Sequence, residues 1–293
     1  MKRALLLPTT LIAALVLAHP GGGIVALGPD RILTGDAVGN GVWLFGTSRP
    51  TRQLSDFHCH WITRGLDGNL YAEKQGERNG EWVVTIYRLD KQGKSPERLW
   101  TSTIAHSVFT ADRQGRLVFP DGGRLVTREA SGRLVAFRGD GRPVAGEPPF
   151  DSVGALVWGP GDALYLCDGP HVRKVGSDGK ARILKTFEGK PTVEMYGGRS
   201  GARVWGLAVD GESRVYAALT SHGQVVRIAP NGQTSVAARS SDDWHATGVA
   251  VHGDTLFLLE TKLEGNRNLG PRVRRIAADG RATILGTVGA TSR

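Results

Sequence analysis

The feature that most constrains this chain is a sixfold internal repeat. An apolar strand, an Asp/Gly turn and an apolar pair such as Leu-Tyr recur, with the pairs beginning at Ile32, Leu70, Leu117, Leu164, Val215 and Leu256. Each pair is followed by a third strand of the type Val-x-Arg-Ile and a second turn, as in Asp90-Lys-Gln-Gly93, Ser177-Asp-Gly179, Asn231-Gly232 and Asp279-Gly280. A short fourth strand, such as Arg182-Ile-Leu184 or Thr283-Ile-Leu285, closes the unit. Alternating apolar residues joined by such turns form antiparallel hairpins. Four strands repeating about every 40–50 residues make a propeller blade.

The expected fold is therefore all-β, a six-bladed β-propeller of four-stranded antiparallel blades, forming one domain over residues 22–288. The units begin near Gly22, Asp56, Ile104, Ser152, Arg203 and Asp243. Because each holds its strands in order, little or no strand exchange is expected where the ring closes. Residues 72–80, 189–202 and 260–271 read as loops. No helical periodicity follows residue 18.

That residue ends a segment of a different kind. Residues 1–18 read as a signal peptide: Lys2 and Arg3 lead an apolar run, and Val16-Leu17-Ala18 suits a small-residue cleavage site. Pro8 and two threonines make the run short for a spanning helix. A soluble protein, secreted or periplasmic, is the expectation, without membrane association after cleavage. The formal charge is +9, and removing Lys2 and Arg3 leaves +7. The basic residues are dispersed, and Arg88, Arg128, Lys174, Arg227 and Arg275 recur on the blades as a solvated face, which argues against a nucleic-acid partner. Cys59 and Cys167 fall two blades apart and are expected as free thiols.

Chemistry concentrates where first strands begin, because these strands line the axis and open on the same face as the second-to-third connection. His58, Cys59, His60 and Trp61 stand side by side there. Aligning blades on their hairpins puts Cys59, His106 and His245 at one register, with His60, Ser107, Gly154, Trp205 and Ala246 one residue later. Second strands end at Asp36, Glu73, Asp121, Asp168 and Glu260. Three imidazoles, His60, His106 and His245, are the candidate ligands of a divalent metal ion, zinc or another. His60, His245, Glu73 and Glu260 are the candidate catalytic groups. Trp205, Trp244 and His58 are the candidate substrate contacts, the indoles by stacking on a ring. Alternation sends His58 and His60 one way and Cys59 the other, so either the histidines or the thiol joins the axial set. His60 is chosen because a first strand often twists at its start and a thiol suits an oxidising compartment less. The alternative is that the histidines cap strand ends, the acids hold turns, Trp43 and Trp82 pack between blades, and Trp61 and Trp158 point into the sheets. No nucleophile elbow, phosphate-cradling loop, Cys-x-x-Cys pair or haem motif is present.

Asp67-Gly-Asn-Leu-Tyr71, Val225-Val-Arg-Ile-Ala-Pro-Asn-Gly232 and Val273-Arg-Arg-Ile-Ala-Ala-Asp-Gly280 resemble NHL-type repeats. The pattern is similar to that of the senescence-marker-protein/gluconolactonase group and of the streptogramin (virginiamycin B) lyases, with residues 62–73 nearest the lyase repeat. The resemblance implies a propeller and a metal-assisted lyase or hydrolase acting on a small oxygen-rich or cyclic substrate at the axial mouth. The alternative it leaves is a non-catalytic scaffold whose upper face holds a protein, peptide or glycan. The Glu, Asn and Asp metal set of gluconolactonases has no counterpart here. The chain also resembles six-bladed peptidyl amidoglycolate lyases, in which axial histidines from alternating blades hold zinc; His60, His106 and His245 fall in blades two, three and six.

Overall fold

The structure, a computed structural model, describes residues 22–36, 41–46, 51–55, 59–103, 108–190, 201–241, 243–264 and 267–288. These form six sheets of four antiparallel strands, each sheet taking its strands consecutively from the chain. The first strands of blades one to six are Ile24–Gly28, Ile62–Arg64, Thr110–Ala111, Val153–Gly159, Val204–Val209 and Trp244–His252. No blade borrows a strand from another, as expected. Among the described residues the helical elements are two single 3-10 turns, Pro160–Asp162 and Thr220–His222.

Alternation builds the core between blades rather than within one. Leu70 and Ala72 pack toward blade one, with Leu33 and Val42, whereas Tyr71 between them joins Phe109, Ala111 and Phe119 of blade three. Both faces of a blade are thus buried, and its strands are apolar on both sides. The ring closes in the same way: Ile32 and Phe45 of blade one pack against Phe257, Leu259 and Val273 of blade six. Aspartates fix the turns. Asp90 Oδ1 accepts the main-chain N–H of Gln92 and Lys94, Asp112 Oδ1 those of Gln114 and Arg116, and Asp210 Oδ1 those of Glu212 and Arg214. Each carboxylate satisfies two donors that the tight turn would leave open.

Two expected loops are instead strand. In blade two the second and third strands run Leu70–Arg78 and Glu81–Leu89, paired in register up to Arg78 with Glu81. Asn79 and Gly80 both have positive φ, 55° and 79°, the mirror-image turn that matches strand twist. In blade six the matching strands are Thr255–Glu264 and Arg267–Ile276. Both hairpins extend past their sheets on the upper face, the end where first strands begin. Trp82, expected to pack between blades, stands on the first of them with 39% of its surface exposed. Of the expected loop 189–202, residues 191–200 lie outside the described residues.

The axis is closed by main chain. A Cβ on Gly22 would lie 3.3 Å from the carbonyl oxygens of both Trp205 and Thr247 and 3.6 Å from the Trp61 ring. Blades two and five are opposite each other in a six-bladed ring, so a residue touching both sits at the centre. Beside it, a Cβ on Gly206 would lie 2.6 Å from Gly248 Cα, and one on Gly248 would lie 2.5 Å from Gly22 O. Only glycine lets these backbones approach so closely. Replacing Gly248 with alanine forces backbone apart and is expected to cost about 1–3 kcal/mol. Denaturant midpoints measure it, with Gly28→Ala, where a Cβ meets nothing within 4 Å, as the neutral control.

Candidate functional site

Above this collar, the first-strand starts surround the upper mouth: His60 and Trp61 from blade two, Ser152 from blade four, Arg203 and Trp205 from blade five, Trp244 and His245 from blade six. His58 and His106 lie outside the described residues. The register differs from the hairpin alignment. Val153, Val204 and Ala246 are the equivalent residues, opposite Asp168, Leu219 and Glu260. Each is followed by a β-bulge that adds one residue, Gly154, Trp205 or Thr247. His245 is therefore equivalent to Ser152 and Arg203, and Trp205 to Thr247 rather than to Ala246. Bulges re-aim side chains at a strand end, and composition alone does not mark them.

The second-strand acids have definite partners. Glu73 is fully buried, and its Oε1 accepts the main-chain N–H of His60 and, at 3.2 Å, of Trp61. The His60 ring lies over the same oxygen, Nδ1 to Oε1 3.3 Å, while Oε2 has no hydrogen-bond partner. Glu73 stands three residues after Leu70, whereas Asp168 and Glu260 stand four after their Leu, so it faces blade three and they face the preceding blade. Asp168 works in the same way as Glu73, its Oδ1 holding the N–H groups of Asp151 and Ser152. These carboxylates fasten the start of a first strand rather than the turn that follows the second.

Glu260 differs. It too is fully buried, and it accepts from Arg272 (Nε 2.9 Å, Nη2 2.7 Å) and from Arg274 (Nη2 2.8 Å). Burial raises its pKa, and the Arg274 and Arg272 guanidiniums pull it back. Arg272 also reaches Ser241 Oγ and lies 4.2 Å from the Trp244 ring centre. In the neighbouring blade five, Arg203 lies 5.5 Å from the Trp205 ring and donates to Ser152 Oγ. Each indole thus has a guanidinium on one face, an attraction of about 0.5–2 kcal/mol that fixes the ring. In blade four, Arg173 is fully buried between Asp168 (3.2 Å) and Glu147 (3.0 Å). These arginines escaped the sequence reading, and alternation explains why: Arg274 points inward and its neighbour Arg275 does not.

His245 is half-buried, and its Nδ1 is enclosed without a hydrogen-bond partner. Burial lowers its pKa, opposed by Asp243, so the ring is neutral near pH 7. Cys59 and Cys167 are free and fully buried, the latter pushed up to about 12 by burial. Among the described residues no three His, Cys, Asp or Glu side chains come together closely enough to hold a metal ion. Glu260 is unsuited to one, since two guanidiniums already occupy it and would repel a cation.

No protein-family model and no curated protein matches this chain. Solved structures do. A streptogramin B lyase aligns with a TM-score of 0.52 at 13% identity, over 90% of this chain and 82% of its own. A gluconolactonase candidate aligns with 0.52 at 15% identity, over 81% and 84%. An auxiliary nutrient binding protein from Bacteroides thetaiotaomicron aligns with 0.57 at 9% identity, over 91% and 69%. The likeness is one of fold. It includes lyase, gluconolactonase-like and ligand-binding propellers, and so is compatible with either an enzyme or a binding scaffold. No helix among the described residues is long and apolar enough to cross a membrane.

Two outcomes follow. Glu260→Ala leaves Arg272 and Arg274 buried without their carboxylate and should cost about 3–5 kcal/mol, which urea unfolding measures. Adding Arg272→Met and Arg274→Met should restore most of that loss. Native protein at pH 8 should leave both thiols unmodified by a disulfide reagent, with two reacting per chain once it is unfolded in guanidinium.

Proposed function

We propose that the upper mouth binds a small oxygen-rich or cyclic molecule and acts on it as a lyase or hydrolase. The observation that carries this reading is His245: a desolvated, neutral imidazole whose Nδ1 has no partner, beside an indole that Arg272 holds in place. A ring of the substrate would stack on Trp244 or Trp205. Arg272 and Arg203 would orient its oxygens, and the free lone pair of His245 would take a proton. His60, fixed over Glu73 and 8% exposed, is the second imidazole at the same end. His58 would be a further substrate contact.

A divalent ion belongs to this proposal. With an ion bound, the Nδ1 lone pair of His245 would go to the metal instead of taking a proton, His60 and His106 would complete the set, and Glu73 Oε2 would be the acceptor nearby. Such an ion would polarise a carbonyl oxygen. Glu73 and Glu260, engaged as described, would then support the site by holding His60 and Arg272. The basic and apolar residues 1–18 support export, to the periplasm or outside the cell.

The test is turnover of a panel of cyclic esters, sugar lactones and a streptogramin B among them, by protein with and without prior chelation. Metal content is measured on the same samples. Loss of His245 to alanine should lower turnover at least 100-fold, the scale of a general base. Binding without turnover would favour the scaffold reading, which Trp82 supports, exposed on the long hairpin where a peptide or glycan could rest.

A further inference from the structure

Below the glycine collar the axis opens again. A cavity of about 370 Å3 lies between the lower halves of the first strands, with Gly22 and Trp61 among its walls. Main chain of blades one, five and six meets at Gly22, with the Trp61 ring facing it, between this cavity and the upper mouth. Apolar side chains make up much of its wall, among them Ile24, Ile62, Trp158, Leu207, Val209 and Val249, with main chain and Thr63 between them. The two indoles there have spent their polar edges, Trp61 Nε1 on Phe109 O at 2.7 Å and Trp158 Nε1 on Ala111 O at 2.8 Å. They turn only ring surface to the space.

One charged side chain lines this cavity, Arg64, at the end of the first strand of blade two. It is exposed to solvent at the opening, and among the described residues it has no ion pair. Burial alone lowers its pKa, and no carboxylate raises it. The aspartates of the lower turns in blades two to five have partners of their own. Asp67 accepts from Tyr71 and Asn69, Asp112 from Arg116, Asp162 from Arg113, and Asp210 from Arg214. A mainly apolar recess with one guanidinium at its opening matches a ligand with one apolar body and one negative charge.

We propose that the lower end of the axial channel is a second binding site, for an amphiphilic monocarboxylate. Its chain or ring fills the space under Gly22 and Trp61, and its carboxylate pairs with Arg64. The guanidinium fork takes both oxygens of a carboxylate at once. A phosphate dianion suits the site less, because its second charge would meet no cation at the apolar wall. The volume lies within the range of small-molecule pockets.

The test uses the full chain with octanoate below its micelle concentration, followed by intrinsic tryptophan fluorescence and by calorimetry. Octanoate should bind saturably at one site per chain, and octan-1-ol at least tenfold more weakly. Arg64→Gln should weaken octanoate at least tenfold while leaving octanol unchanged. Ala26→Phe, which fills the space without touching Arg64, should weaken both ligands. Equal affinity for acid and alcohol, octanoate binding that survives either substitution, or no saturable signal would each overturn the proposal. Inorganic phosphate competing as well as octanoate would do so too, marking Arg64 as a simple anion contact.

Discussion

Six strands converging on one axis leave space for main chain and little else, and this molecule uses that limit. Gly22, Gly206 and Gly248 let blades one, five and six touch backbone to backbone, with the Trp61 ring closing in from blade two. A side chain anywhere in that collar would push two blades apart at once. The groups that can do chemistry are consequently displaced along the axis. Imidazoles and indoles stand above the collar at the strand starts, and the apolar cavity with Arg64 lies below it. One packing constraint therefore yields two mouths of opposite character.

Holding the strand starts in place falls to buried charge. A first strand begins at the rim, where its leading N–H groups have no ladder partner, and Glu73 and Asp168 accept a pair of them each. An unpaired buried donor costs about 1–3 kcal/mol, so a carboxylate taking two is well placed despite its own desolvation. The residual charge is then met by arginine from the third strand. Arg173 and Arg274 occupy equivalent positions, opposite Leu166 and Leu258, and each reaches the acid at the end of the second strand. Such clusters add little net stability over an apolar core, but breaking one is costly, and they fix where the rim residues stand. His60 rides on Glu73 and Trp244 on Arg272. Glu73 and Glu260, read from the sequence as catalytic candidates, thus brace residues of the upper rim.

The blades were legible because their signals are local. Alternation, an Asp-Gly turn and an aromatic pair all fall within a dozen residues, and the same grammar repeats six times. Strand order within each sheet, and closure without exchange, follow from that grammar alone. What escaped depends on distant neighbours or on a single extra residue. The first hairpin of blade six is one residue shorter, Val251 facing Leu256 where Trp158 faces Leu164 and Val209 faces Val215, which separates His245 from the position its alignment implies. Asn79-Gly80 is a hairpin signal in its own right, yet the charged residues around it look like loop. Arg274 and Arg275 are adjacent and identical in sequence, and only the buried acid beside one distinguishes them. Glu73 sits one residue short of the other second-strand acids, a difference that alternation turns into a different face.

The same distinction changes the meaning of the net charge. A formal +9 invites a polyanion reading, but many of the outward arginines stand beside acids rather than beside one another. Arg88 pairs with Glu97, Arg113 with Asp162, Arg133 with Glu129 and Arg182 with Asp178, each within 3.0 Å. Beyond a Debye length of about 8 Å, such pairs present almost no field to a polymer. Positive charge that is not cancelled matters more where solvent is excluded. At the upper mouth two arginines share the single carboxylate of Glu260, and at the lower mouth Arg64 has none. A cation in a partly desolvated recess acts over a few ångströms on one small anion rather than along a chain of phosphates. The two cationic recesses, at Glu260 and at Arg64, stand at the two ends of one axis.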